Sequence, residues 1–287
     1  MIGIELVNKA AGPTSHDLVA GLRRSLPRGT KVGHAGTLDP FASGLVILLV
    51  GGATRLSGLL MGLPKRYRTV VQLGARSATG DPEGPIEETG AALPDLAAVA
   101  AALGRFRGSI EQVPPAFSAL KIDGKPAYAR TRAGEQVTMT PRTVQIEVLD
   151  LVAYDAARGR VSLDVRCSKG TYIRSLARDL GDELGCGGYC AELERSEIGT
   201  FSLACAGTLE QVVGAPQESP WFVTARDALG HLDERLLVQE EAVLLRTGRA
   251  IALAGEQGTT CCVLAGRLVC LAEPRDGSLA PTVVLPE

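Results

Sequence analysis

The 287-residue sequence contains few aromatic residues and no long hydrophobic run. Phe, Tyr and Trp make up 4% of the chain, and Trp221 is the single tryptophan. A core with so few large rings must consist mainly of Ala, Val and Leu. The apolar runs, such as residues 45–50, are far shorter than the roughly 20 residues of a membrane-spanning helix. The chain does not start with a charged segment followed by a long apolar one, so we expect no secretory signal, no membrane partner and a cytoplasmic protein.

The cysteines and histidines lack the spacing of a metal site or a disulfide framework. The seven cysteines are odd in number, and Cys261 and Cys262 are adjacent. Cys186 and Cys190 lie four residues apart, but no second Cys or His pair at zinc spacing accompanies them. The three histidines are scattered, at His16, His34 and His231. This pattern predicts buried, reduced cysteines and no metal.

The charge is unevenly distributed along the chain. The net charge is −2, yet residues 1–76 hold 10 Lys and Arg against 3 Asp and Glu, and residues 116–180 hold 11 against 7. Residues 181–287 hold 7 against 16. Two basic blocks on one face would suit an anionic ligand, whereas the alternative is ordinary solubilising charge. The ordinary composition, 45% hydrophobic and 22% charged, excludes a wholly disordered or fibrous chain.

Apolar periodicity and turn residues predict the local structure. Strands are predicted at 2–7 and 67–73, and a hairpin at 144–154 and 160–167. Helices are predicted after Thr14-Ser15, at 53–61, at 94–103 and at 171–184, the last closed by Gly185. Residues 27–44 are expected to form a long loop and residues 78–85 an exposed turn. The run 45–50 is buried but too short to assign, and several short strands are expected from about residue 236.

The segment from Gly33 to Pro40 carries the clearest chemical pattern. Its glycines permit positive φ and a close approach of another chain, and Pro40 biases Asp39 away from the helical region. An acid in so constrained a loop can be directed at a substrate. The alternative is that Asp39 caps the element that follows it.

Five separated segments, in order along residues 2–200, resemble the motifs of the TruB family of tRNA pseudouridine synthases. They are Asn8-Lys9 with Gly12 and Thr14-Ser15; His34 to Pro40 with Gly44 and Gly52 to Arg55; Lys65 to Arg68; Gln112 to Pro115 with Ser118 to Lys121; and Cys167 to Arg174 with Leu180-Gly181. A single match can arise by chance, whereas five in family order indicate membership.

The resemblance implies both a fold and an activity. The implied fold is of the α+β class, an antiparallel sheet flanked by helices, with a catalytic domain at 1–230 and a small β-rich, PUA-like domain at 231–287. The implied reaction isomerises uridine to pseudouridine in the T loop of tRNA, at position 55, after the base has been flipped out. The family uses no cofactor and no metal, and we expect a monomer that acts on the tRNA T arm.

The resemblance also assigns roles to individual residues. Asp39 is the catalytic carboxylate, either a nucleophile or a base, and Arg174 pairs with it. Tyr67 stacks on the target base and assists proton removal at C5. The expected substrate-binding residues are His34, which holds the flipped-out conformation, Tyr172 and Leu193, which pack around the base, and Lys9 and Lys65 of the basic block. That block also contains Arg23, Arg24, Lys31, Arg66 and Arg68.

The sequence departs from the family pattern at several positions. Ala10 replaces a usual Pro, Phe117 a usual Tyr, and Glu194 a usual Arg, with Glu197 as a second acid nearby. An acid beside RNA repels phosphate, so we expect no backbone contact from residues 194–197. Two other functions stay open at this point: a nucleoside or glycoside hydrolase, which normally needs a second carboxylate, and a non-catalytic RNA-binding or tRNA-folding protein on the same fold.

Overall fold

The computed structural model describes residues 2–118, 120–122, 124–127, 130, 135, 138–214 and 219–286. Ala119, in the predicted motif from Ser118 to Lys121, lies outside them. The described chain contains both helices and strands, and most strand pairs are antiparallel, which confirms the mixed α+β class.

The strands of the main sheet come from most of the chain. They are β1 (Gly3–Lys9), β2 (Val32–His34), β3 (Ser43–Val50), β4 (Lys65–Leu73), β7 (Gly108–Gln112), β10 (Arg142–Asp155), β11 (Arg160–Cys167), β12 (Gly188–Ile198), β13 (Phe201–Ser202), β14 (Gly207–Thr208) and β15 (Phe222–Thr224). Their order is β14-β1-β3-β12-β4-β11-β10-β7, with β2, β13 and β15 paired to β3, β12 and β1. The pairing is antiparallel except for β1 with β14 and β3 with β12.

Short two-stranded sheets and helices make up the regular structure outside the two large sheets. The small strands are β5 (Ala75–Ser77) with β6 (Ile86–Glu88) and β8 (Lys121–Ile122) with β9 (Lys125–Pro126). The α-helices are α1 (Ser15–Ser25), α2 (Ser57–Gly62), α3 (Leu96–Leu103), α4 (Ile173–Glu183), α5 (Leu209–Gly214) and α6 (Gln239–Arg246). Four 3-10 helices cover Gly51–Leu56, Gly104–Phe106, Leu203–Cys205 and Asp227–Leu229. None of the described helices is long and apolar enough to cross a membrane.

The structure confirms most of the predicted elements and corrects two. Helix α1 starts where expected, because Thr14 and Asp17 form a reciprocal capping box. The predicted helix at 53–61 is divided into a 3-10 turn followed by α2. The predicted long loop at 27–44 is wrong in part, since it contains β2 and the first residues of β3. Three residues of β2 are too few to show an alternating pattern in the sequence.

Strand β3 is buried on both faces, which explains why its periodicity was uninformative. Val46, Leu48 and Val50 pack into the core beneath α1 and α4. The alternate residues Leu45, Ile47 and Leu49 pack in a second core with apolar residues of the C-terminal region, Val263, Leu271 and Leu285. Strand β3 therefore joins the two parts of the molecule.

The C-terminal region forms its own five-stranded sheet. Its strands, β16 (Asp233–Leu236), β17 (Ile251–Ala252), β18 (Thr260–Leu264), β19 (Arg267–Arg275) and β20 (Ser278–Val284), are arranged in the order β16-β18-β19-β20-β17. Helix α6 packs against it around Ala242 and Leu245. The β-rich character expected from about residue 236 is confirmed. The change of sheet falls between Thr224 and Asp233.

Helix α4 lies unusually close to β12 because glycines face each other. A Cβ on Gly181 would lie 2.5 Å from the Cα of Gly188. This contact sets the depth at which the first turn of α4 enters the molecule.

We expect Gly181→Ala to destabilise the protein by about 1–3 kcal/mol, because overpacking outweighs the better helix propensity of Ala. Urea denaturation measures the change. Gly58→Ala is the matched control: Gly58 also lies in a helix, but nothing lies within 4 Å of its Cβ position, so Ala should be neutral or stabilising. Equal stability of Gly181→Ala and wild type would contradict close packing at this site.

Candidate active site

One cavity of about 560 Å³ contains most of the predicted site residues. It lies where the loop after β2, strands β4 and β12, and the start of α4 converge. Of the eight predicted residues, six line it: Asp39, Lys65, Tyr67, Tyr172, Arg174 and Leu193. Residues up to 154 positions apart in sequence are therefore brought to one place by the order of strands in the main sheet.

Asp39 and Arg174 form a two-point ion pair at the base of this cavity. Arg174 Nε lies 2.9 Å from Asp39 Oδ2, and Nη2 lies 3.2 Å from Oδ1. The Arg174 side chain is 5% exposed, whereas that of Asp39 is 33% exposed. The guanidinium fork thus holds a carboxylate that still faces the open cavity.

Arg174 also binds a second carboxylate, which sequence reasoning missed. Its Nη1 lies 3.0 Å from Asp81 Oδ2 and donates to the carbonyl of Thr79 at 3.0 Å, while Nη2 donates to the carbonyl of Phe117 at 2.8 Å. The Asp81 side chain is only 4% exposed. The expectation that residues 78–85 form an exposed turn is therefore wrong at Asp81. Its local sequence, with Gly80 before it and Pro82 after it, is that of any turn.

Local bonds orient the Asp81 carboxylate away from the cavity. Its Oδ1 accepts from the Thr79 hydroxyl at 2.5 Å and from the Glu83 amide at 3.1 Å. The Phe117 contact uses a backbone carbonyl, so the loss of the usual Tyr hydroxyl at this position leaves it intact. Together these bonds occupy both terminal nitrogens of the buried guanidinium, while Nε contributes only the ion-pair contact with Asp39.

Opposing effects set the proton affinity of Asp39. Burial raises the pKa of Asp39, the Arg174 guanidinium lowers it, and the negative charge of Asp81 raises it again. The net effect is a pKa above the ordinary value for aspartate. Arg174 is therefore the main group that favours the ionised carboxylate.

Tyr67, Leu193 and Tyr172 form the apolar walls of the cavity. Tyr67 and Leu193 lie on β4 and β12 and are 9% and 8% exposed. Burial raises the pKa of Tyr67, which keeps the phenol neutral at ordinary pH. The backbone of Tyr172 is fixed by the Gln112 amide, which accepts from its N–H at 2.8 Å and donates to its carbonyl at 3.1 Å.

The two predicted lysines are occupied by backbone carbonyls. Lys65 lines the cavity, but its ammonium donates to the carbonyls of Met61 and Leu63, both at 2.6 Å. Lys9 is fully buried outside the cavity lining, and it donates to the carbonyls of Ala10, Pro13 and Pro40 at 2.9, 2.9 and 3.1 Å. Burial lowers the pKa of each lysine to about 8. In this structure the Lys9 side chain holds the loop after Asp39, and its contact with substrate stays a prediction.

His34 lies beside the cavity rather than in its lining. Its ring packs edge-to-face on the exposed His16, with centroids 5.2 Å apart. Burial lowers the pKa of His34, and the charge of neighbouring Arg195 lowers it further. Its buried Nδ1 has no hydrogen-bond partner among the described residues.

Arg195 is a second missed residue, and it also lines the cavity. From the sequence we expect no contact with the RNA backbone from residues 194–197, because Glu194 and Glu197 are acidic. Alternation along β12 nevertheless places Arg195 on the same face as Leu193, two residues earlier. This two-residue spacing from Leu193 is the sequence feature that could have identified Arg195. Glu194 points to the opposite face, where Arg68 is its ion-pair partner.

The structure divides the basic residues between two surfaces. Arg66 and Arg68 lie on the sheet face opposite Tyr67, paired with Asp164, Glu194 and Glu197. A cleft of about 750 Å³ at the end of α1 is lined by the other basic residues, Arg23, Arg24, Arg28 and Lys31. No acidic residue of the described chain lines this cleft. Within the same described ranges, no group of three or more His, Cys, Asp or Glu is arranged to hold a metal ion.

Comparisons with known proteins agree with this geometry. Residues 23–173 match the model of the TruB family pseudouridylate synthase N-terminal domain, and residues 174–243 match that of the tRNA pseudouridylate synthase B C-terminal domain. The chain is 41% identical to tRNA pseudouridine synthase B of Thiobacillus denitrificans, over 97% of this chain and 94% of the relative. It is 43% identical to the Leifsonia xyli protein of the same name, over 89% and 85%.

Solved structures show the same fold at lower identity. An H/ACA ribonucleoprotein bound to a substrate RNA containing 2'-deoxyuridine aligns with a TM-score of 0.73 at 20% identity, covering 99% of this chain and 85% of that one. A Cbf5-Nop10-Gar1 complex aligns with a TM-score of 0.72 at 22% identity, covering 99% and 84%.

Arg174→Ala should destabilise the fold by about 3–5 kcal/mol, because it leaves the buried Asp81 carboxylate without its cation. The free energy of unfolding in urea measures this. Arg178→Ala is the control, since Arg178 lies one turn further along α4 and its side chain is 35% exposed; a change below about 1 kcal/mol is expected there. Similar effects of the two substitutions would show that Arg174 contributes no more to the free energy of unfolding than the partly exposed Arg178.

Proposed function

The chain belongs to the TruB family of pseudouridine synthases and is an isomerase that converts uridine in tRNA to pseudouridine; we propose that its target is the uridine at position 55 of the T loop. The proposed target rests on the family motifs, and the observation that carries the proposed chemistry is Asp39, held at two points by Arg174 at the base of a cavity walled by Tyr67 and Leu193. The proposed residue roles rest on that arrangement and on the family motifs.

In the proposed reaction a single flipped-out uracil enters the cavity. The base lies between Tyr67 and Leu193, and the ionised Asp39 acts at the sugar, as a nucleophile or as a base. The bond between N1 and the sugar breaks, the base turns, and C5 bonds to the same sugar carbon. C5 then loses its proton beside Tyr67, and N1 gains one, so that no net proton is consumed. Tyr172 and Lys65 complete the walls.

The basic cleft is the proposed path of the RNA backbone. Gly33 lines the cleft and Gly36 lines the cavity. Three residues span at most about 10 Å, so an RNA with one nucleotide in the cavity passes close to the cleft. His34 lies between the two, where it would occupy the space that the flipped base leaves. Phosphate contacts from Arg24, Arg28 and Lys31 would offset the cost of flipping.

The C-terminal sheet is the proposed small PUA-like domain, at residues 231–287. The acidic balance of residues 181–287 opposes a large phosphate interface there. We therefore place the main tRNA contact on the catalytic domain. Because one chain supplies every residue of the cavity, we propose that the enzyme acts as a monomer, and in the cytoplasm where tRNA is modified.

A hydrolase mechanism is the rival reaction. The second carboxylate that it requires is present in Asp81, but Asp81 is buried and its oxygens are occupied by Thr79, Glu83 and Arg174. Asp81 is also absent from the cavity lining, so it is not placed to act as a glycosidase acid opposite Asp39. Free uracil as a product would favour the hydrolase.

Replacing Asp39 by Asn should abolish pseudouridine formation while tRNA affinity stays within about tenfold, or 1.4 kcal/mol. Asn keeps the size of the side chain but is a far poorer nucleophile or base. The isomerisation leaves mass unchanged, so the product is measured by mass analysis after a pseudouridine-specific chemical tag. Asp150→Asn, an exposed acid of β10, is the control. A near-normal yield from Asp39→Asn would remove Asp39 from its role.

The T-loop assignment is tested with isolated stem-loops. A T-arm stem-loop should be converted, whereas the same stem-loop with cytidine at position 55, and an anticodon stem-loop containing uridine, should not be. Conversion of the anticodon stem-loop alone would leave the enzyme class intact but contradict the proposed target.

Replacing both Arg28 and Lys31 by Gln should flatten the dependence of tRNA affinity on salt. Each lost phosphate contact lowers the slope of log K against log salt by about 0.7–0.9. Filter binding at several salt concentrations measures the slope. Arg68→Gln, on the opposite sheet face, should leave it unchanged. The reverse result would place the RNA on that face instead.

A further inference from the structure

Arg195 is a fully buried cation at the centre of the site. It is 1% exposed and is among the largest side chains buried to this degree. Its guanidinium donates to three backbone carbonyls: from Nε to Leu45 at 2.8 Å, from Nη2 to Gly36 at 3.2 Å and from Nη1 to Thr37 at 3.3 Å. No carboxylate of the described chain forms an ion pair with it.

A buried arginine without a carboxylate partner lowers the stability of the fold. Taking a charge out of water is unfavourable, and carbonyl dipoles compensate it less completely than a carboxylate does. An apolar side chain of similar volume would fill the same space. The positive charge at this position therefore needs a second explanation, and the groups around it supply one.

The hydrogen bonds of Arg195 reach the loop that carries Asp39. Gly36 and Thr37 precede Asp39 by three and two residues. The backbone of Arg195 is itself fixed, because it pairs with Gly44 of β3, where φ is +111°. A Cβ at Gly44 would lie 2.6 Å from the Arg195 nitrogen, so only glycine permits this approach. Both ends of the loop are thus tied to one residue of β12.

Arg195 also lies directly opposite Tyr67 in the pairing of β12 with β4, and both side chains line the cavity. Against the larger effect of burial, which raises the pKa of Tyr67, Arg195 lowers it through its charge and a side-chain interaction with the hydroxyl. Burial has the largest effect on the pKa of Asp39, Lys9 and Lys65. The charge of Arg195 has a smaller effect, and it lowers the pKa of all three. One cation therefore acts on both proposed reacting groups, the carboxylate and the phenol.

We propose that Arg195 is a positioning residue of the isomerisation, which fixes the Asp39 loop and the Tyr67 hydroxyl in one geometry around the flipped base. The inference rests on the proposed function, since it assigns no separate activity. Because the guanidinium is enclosed by protein carbonyls, it acts on the rate of the reaction rather than on the affinity for RNA.

The test separates rate from affinity in two variants. Arg195→Met keeps the volume and removes the charge, whereas Arg195→Lys keeps the charge and loses the planar fork. Dissociation constants for tRNA and single-turnover rates are measured for both. We expect affinity within about threefold of wild type, a rate about a hundredfold lower for Met, and a rate about tenfold lower for Lys.

Arg160→Met serves as the matched control, because Arg160 lies on the open face of the same sheet, paired with Glu192. It should change neither quantity. Thermal melting reports the folded fraction, and if Arg195→Met does not fold, the Lys variant decides. A wild-type rate in Arg195→Lys would overturn the proposal, as would a weakened affinity at an unchanged rate. Rates are taken relative to wild type on whichever tRNA it converts, so a wrong T-loop assignment appears separately, as a failure of the wild-type enzyme on the T arm.

Discussion

The charge of Arg174 is the constraint on which the site depends. A guanidinium buried this deeply requires a partner for each of its nitrogens, and these come from three other parts of the chain: the Asp39 loop, the turn at Thr79 and Asp81, and the backbone of Phe117. None of these segments can move without leaving a buried charge uncompensated. The geometry of the proposed active site is thus enforced by the free energy that breaking it would cost.

Strand β3 and helix α4 each hold a different part of the site around that charge. Strand β3 is buried on both faces and starts just after the Asp39 loop, so the loop is anchored to a strand that packs in both cores. Helix α4 enters at a depth fixed by Gly181 and Gly188. Reactive side chains held by strands and a helix, with only a short loop between them, have little freedom to leave a productive arrangement.

Local sequence determined much of the fold, and motif resemblance located most of the site. The α1 cap and the β10–β11 hairpin follow from neighbouring residues, and were predictable for that reason. Asp81 was missed because its partner lies 93 residues away and its own surroundings are those of a common turn. Arg195 was hidden by the acids around it, although alternation placed it beside Leu193. The burial of Lys9 was not predictable, because charge in a sequence does not reveal burial and only the fold shows that its ammonium donates to three carbonyls.

The core that Leu45, Ile47 and Leu49 share with Val263, Leu271 and Leu285 has an evolutionary consequence. The C-terminal sheet cannot be exchanged independently of the main sheet. Strand β3, which supports the Asp39 loop, also forms one side of the interface between the two sheets. A lineage can change the outer surface of that sheet, including its charge, without touching catalysis. Its inner surface can change only together with β3, so recombination between relatives must exchange the two as a matched pair.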